Sequence, residues 1–275
     1  MPPETTLWPR DPHTEGKHLV LGEYLKAWFP IMGSWNKRIV FVDGFAGPGL
    51  YSSGEEGSPL VALRTLRDHI ARIQAEVVFY FIESRKDRFD HLNELIAGER
   101  STLPDNAVVR VVQGEFDQSM TEVLDALDEQ RAKLAPSLVM IDPFGVSGTP
   151  MEVVARILNN PSCEVFITFM FDFVNRFLET PEFDDKLDAL YGSREWRRAA
   201  ALSGAPRKDF IFGLYRDQLK AAGAEQVVRF DLFEESRLVY SLFFGSQHPT
   251  GCDRMKAAIW SVAPFGDFSF RGGRN

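Results

Sequence analysis

The stretch Phe41-Val-Asp-Gly-Phe-Ala-Gly-Pro-Gly49 decides the fold. A short apolar run reaches Asp43 and is followed at once by Gly44, Gly47 and Gly49, with Pro48 among them. Apolar runs of this length that end in glycine read as buried strands. Glycines just beyond a strand let the chain turn sharply and let another group come close to the backbone. What comes close is the question the rest of the chain must answer.

Strand-like runs of the same character recur at 38–45, 76–83, 107–115, 137–144 and 163–171 (RIVFVDGF, EVVFYFIE, AVVRVVQGE, SLVMIDPF and CEVFITFMF). Most are apolar at successive positions rather than alternate ones, as strands covered on both faces must be. Helix-compatible text separates them at 58–73, 85–98, 117–133 and 149–160. Ser58 is placed as N-cap of the first of these, with Pro59 at its first helical position. Strand and helix alternating in this way predict right-handed βαβ units and a Rossmann-like, doubly wound, mostly parallel α/β sheet. Residues 14–32 predict an N-terminal helix, with Leu21, Leu25, Trp28 and Met32 at helical spacing and Thr14 as its cap. Residues 175–223 read as a helical insertion closing at Gly223. The runs 226–235 and 237–246 then read as a terminal antiparallel strand pair. A parallel sheet finished by such a pair resembles the class I methyltransferases, the enzymes that use S-adenosylmethionine (SAM).

Composition bounds the function classes. The chain has 275 residues, 44% of them apolar, and 23 phenylalanines supply a sizeable core. No repeat or linker divides it, so a single domain over 1–275 is expected. No apolar stretch approaches the roughly 18 residues of a membrane span, and the N-terminus lacks a signal-peptide pattern; the expected address is the cytoplasm. Cys163 and Cys252 are too few for a disulfide framework or a four-ligand zinc site, so no metal is expected. A formal net charge of −8 argues against an autonomous nucleic-acid binder of the basic type.

Ligands of open α/β sheets sit beyond the carboxyl ends of the strands, at the switch point. Asp43 and the loop 44–49 lie on that rim. Their spacing is not the dinucleotide pattern G-x-G-x-x-G, which disfavours a nicotinamide-dependent oxidoreductase. It resembles the D-x-F-x-G-x-G motif of methyltransferases acting on amino groups of bases. That resemblance gives Asp43 to the cationic methionine end of SAM, with Gly44, Phe45, Gly47 and Gly49 along the cofactor. Glu83 ends the second strand, where an acid accepts ribose hydroxyls. At the third, Glu115 or Asp117 would accept the adenine amino group, Asp117 being preferred. The fourth ends Asp142-Pro143-Phe144-Gly145. Amino methyltransferases carry an Asp/Asn-Pro-Pro-aromatic tetrad there, and here Phe144 replaces the second proline and Gly145 the aromatic. The same string resembles the fourth motif of tRNA guanine-N2 dimethyltransferases. Asp142 and the Pro143 carbonyl would accept hydrogen bonds from an exocyclic amine, and Phe144 would stack on the base.

Together, KHLVLGEYLKAW (17–28), FVDGFAGPG (41–49), GSPLVAL (57–63), MIDPFG (140–145) and GCDRMKAAIW (251–260) resemble the three-Cys-motif partner family, TcmP. The resemblance runs from about Lys17 to about Pro264. It implies a methyltransferase-like fold and a separate partner bearing a three-cysteine, radical-SAM-like motif. It also draws Lys17 and His18 to the rim of the site, with His248, Thr250 and Lys256 toward the substrate side. Met255 and Trp260 are expected in the core. Two functions compete: a SAM-dependent methyltransferase acting on an exocyclic amine of DNA or RNA, and a non-catalytic, SAM- or nucleotide-binding subunit of the three-cysteine protein. The arginines of the insertion (Arg176, Arg194, Arg197, Arg198, Arg207, with Lys208) are expected to form its docking or substrate face.

Overall fold

The computed structural model describes residues 4–234, 236–264 and 269–271. Helix α1 (Pro12–Trp35) precedes strand β1 (Arg38–Asp43), and α2 (Ser58–Arg67), β2 (Glu76–Glu83), α3 (Lys86–Glu99) and β3 (Ala107–Gln113) follow. Next come α4 (Phe116–Glu129), β4 (Ser137–Ile141), α5 (Met151–Leu158) and β5 (Glu164–Phe169). After β5 the alternation stops for α6 (Phe171–Phe177), α7 (Asp184–Tyr191) and α8 (Gly204–Ala221). The chain closes with β6 (Gln226–Glu234), β7 (Arg237–Ser246), α9 (Pro249–Val262) and the short β8 (Ser269–Arg271).

The strands form one sheet of order β3-β2-β1-β4-β5-β7-β6-β8. From β3 to β5 all pairs are parallel, and β7 runs antiparallel between β5 and β6. This is the class I methyltransferase arrangement. The chain leaves β1 toward β2 on one side and returns to β4 on the other, so the switch point lies above Asp43.

Successive residues of a strand serve opposite faces, and the two cores divide accordingly. Phe41 and Phe79 join Val20, Leu25, Phe29 and Ile259 on the face covered by α1 and α9. Val42, Ile82 and Val139 join Ile157 and Leu219 on the face covered by α5 and α8. Every residue of β4 and β5 is buried. That burial on both faces explains the absence of period-two alternation in the sequence.

The local departures have physical reasons. Helix α1 starts at Pro12 with Asp11 as its N-cap rather than Thr14, because proline is preorganised for the first turn. Lys17 and His18 therefore lie in its second turn. Pro30 lies inside the same helix and has no N–H to donate to the Lys26 carbonyl. His69 Nε2 lies 2.9 Å from that oxygen. Gly57, not Ser58, occupies the N-cap of α2. Met255 is buried but Trp260 is 52% exposed, so only the former belongs to the core. Strand β8 adds a parallel edge beside β6 that three residues of sequence do not announce.

Candidate functional site

The glycine loop makes room first for the protein's own side chains. Its backbone is tied to both neighbours of β1: the Gly44 amide donates to Met140 O at 2.9 Å, and Ala46 to Ile82 O at 2.9 Å. A β-carbon on Gly44 would stand 2.3 Å from the Phe116 ring, and one on Gly49 would stand 2.8 Å from both Leu92 and Leu95. These two glycines make room for core side chains. Gly49 and Gly47 also hold φ values of +84° and +63°, which β-carbon-bearing residues adopt at a cost. Gly47 faces Trp8, at 3.6 Å from a built β-carbon. Two side chains brace the loop. Glu83 Oε2 accepts from the Gly47 amide at 2.9 Å, and His91 Nδ1 lies 2.7 Å from Pro48 O.

Above the loop lies a cavity whose wall includes Phe45, Gly47, Gly49, Tyr51, Lys17, His18, Asp142, Pro143, Phe144, Thr168 and Tyr240. Lys17 Nζ donates to Asp142 Oδ2 and stands 5.5 Å from the centre of the Tyr240 ring. The Lys17 side chain is only 5% exposed and that of Asp142 24%. Burial works to raise the Asp142 carboxyl, but the charge and hydrogen bond of Lys17, with the Thr168 hydroxyl, hold it below the ordinary carboxylate value. His18, buried next to the Lys17 charge, is pushed down to about 3 and is neutral. Burial lowers His13 as well.

Asp43 is fully buried at the foot of the loop. Its Oδ1 accepts the Phe45 amide at 3.2 Å. Burial pushes its carboxyl up to about 6, against the weaker opposing pull of the Ser58 hydroxyl and that amide. Four buried polar atoms without a hydrogen-bond partner gather here: His13 Nδ1, His18 Nδ1, Asp43 Oδ2 and Tyr240 Oη. Buried polar groups are ordinarily satisfied, so this cluster has the composition of a site that receives a polar ligand.

Phe45, Gly47, Gly49, Lys17, His18, Asp142, Pro143 and Phe144 thus meet around one cavity, with Asp43 and Gly44 at its foot. Glu83, Glu115, Asp117, Gly145 and His248 do not line it. Glu83 is buried with both oxygens engaged, Oε1 by the Arg85 amide at 2.8 Å and Oε2 by Gly47; it serves here as a brace. Asp117 lies in the first turn of α4, where Oδ1 accepts the Gln118 amide at 2.9 Å, and Glu115 is exposed at the N-cap. Gly145 faces the Phe173 ring. His248 is the clearest correction. Because β7 runs antiparallel, its end delivers His248 to the opposite rim of the sheet, where Nδ1 accepts the Thr250 amide and caps α9.

Trp8, His13, Tyr51, Thr168 and Tyr240 are among the cavity residues that no sequence motif announced. The insertion arginines are engaged locally: Arg194 and Arg197 with Asp188, Arg198 with Glu195, and Arg207 with Glu179. Their charge is therefore largely offset within the insertion itself. Among the described residues no group of His, Cys, Asp and Glu is placed to hold a metal, and no helix is long and apolar enough to cross a membrane.

No protein-family model and no curated protein matches this chain. Several solved structures are similar to it. Protein LPL1258 of Legionella pneumophila is 13% identical, with a TM-score of 0.48 over 92% of this chain and 93% of that one. Human methyltransferase-like protein 13, in complex with SAH (S-adenosylhomocysteine), is 11% identical, with a TM-score of 0.46 over 95% and 96%. The O-methyltransferase TomG of Streptomyces achromogenes, in complex with SAM, is 12% identical, with a TM-score of 0.45 over 82% and 79%. Each is a likeness only, and it is the strand order of this chain that assigns its fold.

Proposed function

We propose that this chain is a SAM-dependent methyltransferase acting on an exocyclic amino group of a nucleobase in DNA or RNA, working with a three-Cys-motif partner of the kind the TcmP resemblance implies. The observation that carries the reading is the pairing of buried Lys17 with Asp142 on the wall of a cavity floored by the glycine loop. The residues present fit the cofactor. Asp43 keeps a buried, unpartnered oxygen, and a cationic ammonium is the group that would hold such a carboxyl ionised. Gly47 and Gly49 carry no side chain into the cavity. When bound, SAM supplies an electrophilic methyl group.

An exocyclic amine is a poor nucleophile because its lone pair is delocalised into the base. Hydrogen-bond acceptors aimed at its N–H groups localise that pair. Asp142 has lone pairs beyond the one Lys17 engages, and the Pro143 carbonyl is the adjacent acceptor. Held below the ordinary carboxylate value, Asp142 is a weak base; its role is to accept a hydrogen bond and orient the amine, with the proton passing on to water. Phe144, 43% exposed at the cavity mouth, offers the stacking face for a base brought out of its helix. The chain's acidity makes a partner the natural source of positive charge for a polyanionic substrate.

A second reading, a non-catalytic cofactor-binding subunit, draws on the same pair, since Lys17 already occupies one Asp142 oxygen. Calorimetric titration with SAM, SAH and NAD, followed by labelled-methyl transfer to DNA and RNA with and without the partner, separates the two. SAM binding with label transfer is the expected result. SAM binding and complex formation without transfer would leave the subunit reading; preference for NAD, or no SAM binding, would refute the methyltransferase and leave at most a subunit that binds another nucleotide.

A further inference from the structure

The cavity covers only part of the rim that the proposed cofactor needs. It lies over β1 and β4, whereas Glu83, at the end of β2, is buried and does not line it. What covers that half is the segment 4–8. The Thr6 hydroxyl donates to Asp87 Oδ2 at 2.6 Å. Arg85 Nη2 donates to Glu4 O at 2.7 Å, and Arg88 Nη2 to Thr5 O at 3.3 Å. All three anchors lie within five residues of the acid that ends β2. At its other end the segment is held by the glycine-loop side, where the Ser52 amide donates to Trp8 O at 2.9 Å.

Trp8 is the centre of this crossing. Its ring meets Tyr51 edge-on at 5.7 Å and Phe144 at 6.0 Å between centroids. The Arg88 guanidinium lies 4.4 Å from its centre. Beneath it is Gly47, the backbone along which a cofactor reaching from Asp43 toward Glu83 must pass. The segment therefore bridges α3 and the loop across the gap between the β1 and β2 ends.

Resting on the methyltransferase reading above, we propose that residues 4–8 are a self-occluding strap. Trp8 sits in the adenosine half of the cofactor site, and the cofactor enters by displacing it. A site whose competent form is only partly populated binds with its affinity reduced by that fraction. A strap open about one tenth of the time therefore weakens apparent affinity about tenfold.

The test is calorimetry of the full chain with SAH and with adenosine, on wild type, Trp8→Ala and Thr6→Val. Hydrogen exchange at the Ser52 amide is followed alongside. Trp8→Ala is expected to tighten both ligands about tenfold, and Thr6→Val to tighten them by a smaller step. In wild type, SAH should speed exchange at Ser52, whose partner is the Trp8 carbonyl. Unchanged or weaker SAH binding by both variants, with wild type binding normally, overturns the strap and leaves the cofactor reading intact. Slower exchange at Ser52 on SAH binding overturns it too, because Trp8 would then be closing over the ligand. Absence of SAH and adenosine binding in all three proteins removes the cofactor reading, and the strap with it.

Discussion

Two buried carboxyls at opposite ends of the sheet make an instructive pair. Asp43 ends β1 and Glu164 begins β5, with relative exposures of 0% and 6%, and burial pushes both upward. Glu164 is fully partnered: Oε2 accepts the Tyr24 hydroxyl at 2.6 Å and Oε1 the Ser246 hydroxyl at 2.7 Å. Gly251 leaves room for it, since a β-carbon there would fall 2.1 Å from Oε1. Asp43 accepts the Phe45 amide on Oδ1 and feels the pull of the Ser58 hydroxyl, but its Oδ2 has no hydrogen-bond partner. The two acids share burial and differ in satisfaction. A buried acid with every oxygen engaged is a clamp between elements, here α1, β5 and β7. A buried acid with an oxygen left over is held in place for something else.

The largest effect that can break this contrast is at Asp142, on the unsatisfied end. Asp142→Ala leaves Lys17 buried without its counter-charge, and such losses cost about 3–5 kcal/mol. Urea unfolding measures it. Adding Lys17→Met should restore most of the loss, because the cost arises from an unpaired buried charge rather than from the lost attraction. A single-variant cost below about 1 kcal/mol would mean that Lys17 escapes to solvent and that the pair does not shape the cavity.

Asp43 sharpens the contrast through pH. Its folded value of about 6 stands above the ordinary 3.8. Below 3.8 both folded and unfolded chains hold the proton. Between 3.8 and 6 the unfolded chain releases it while the folded chain keeps it, so stability falls as pH rises and then levels off. At about 1.4 kcal/mol per pH unit, this contribution amounts to about 3 kcal/mol. His18 slopes the other way: its folded value is about 3 against 6.5, so its contribution is present above 6.5 and lost as pH falls toward 3. In wild type the two oppose each other across pH 4 to 6. Asp43→Asn removes one slope, and its stability relative to wild type should rise by about 3 kcal/mol over that window. A constant difference in denaturant midpoints from pH 4 to pH 7 would show that Asp43 titrates normally and is not an unsatisfied acid.

The same contrast explains what was legible in the sequence. The strands and the glycine loop could be read because their signals are local: two-sided apolar runs, and a turn immediately after Asp43. The strand pair 226–246 was legible for the same reason. The rest depends on topology. His248 follows a strand just as Asp142 does, and only the reversed direction of β7 sends it to the far rim. Glu83 ends β2 as an acid should, but its two amide bonds become visible only when the loop folds back over it. Trp8 and Tyr240 reach the cavity from a segment before α1 and from β7, and no spacing rule joins them. The cap of α1 falls at Asp11 rather than Thr14 because Pro12 outweighs Thr14 as a start signal.

The smallest expected effect is at the satisfied end. Tyr24→Phe removes one donor from Glu164 and leaves the Ser246 hydroxyl in place, so it should cost about 1–2 kcal/mol, the range for a hydrogen bond to an ionisable acceptor left partly unsatisfied. Thermal unfolding measures that loss. The sharper measurement is SAH affinity, which should stay within about twofold of wild type (about 0.4 kcal/mol). Tyr24 and Lys17 share α1, about two turns apart, so the helix is the physical route by which one end could disturb the other. Lys17 is nevertheless held by contacts of its own, through Asp142 and the face of Tyr240. Loosening α1 at Tyr24 does not release them. A loss of SAH affinity much larger than twofold would show that the Glu164 clamp sets the position of Lys17, and the two carboxyls would then belong to one coupled device rather than to a clamp and a site.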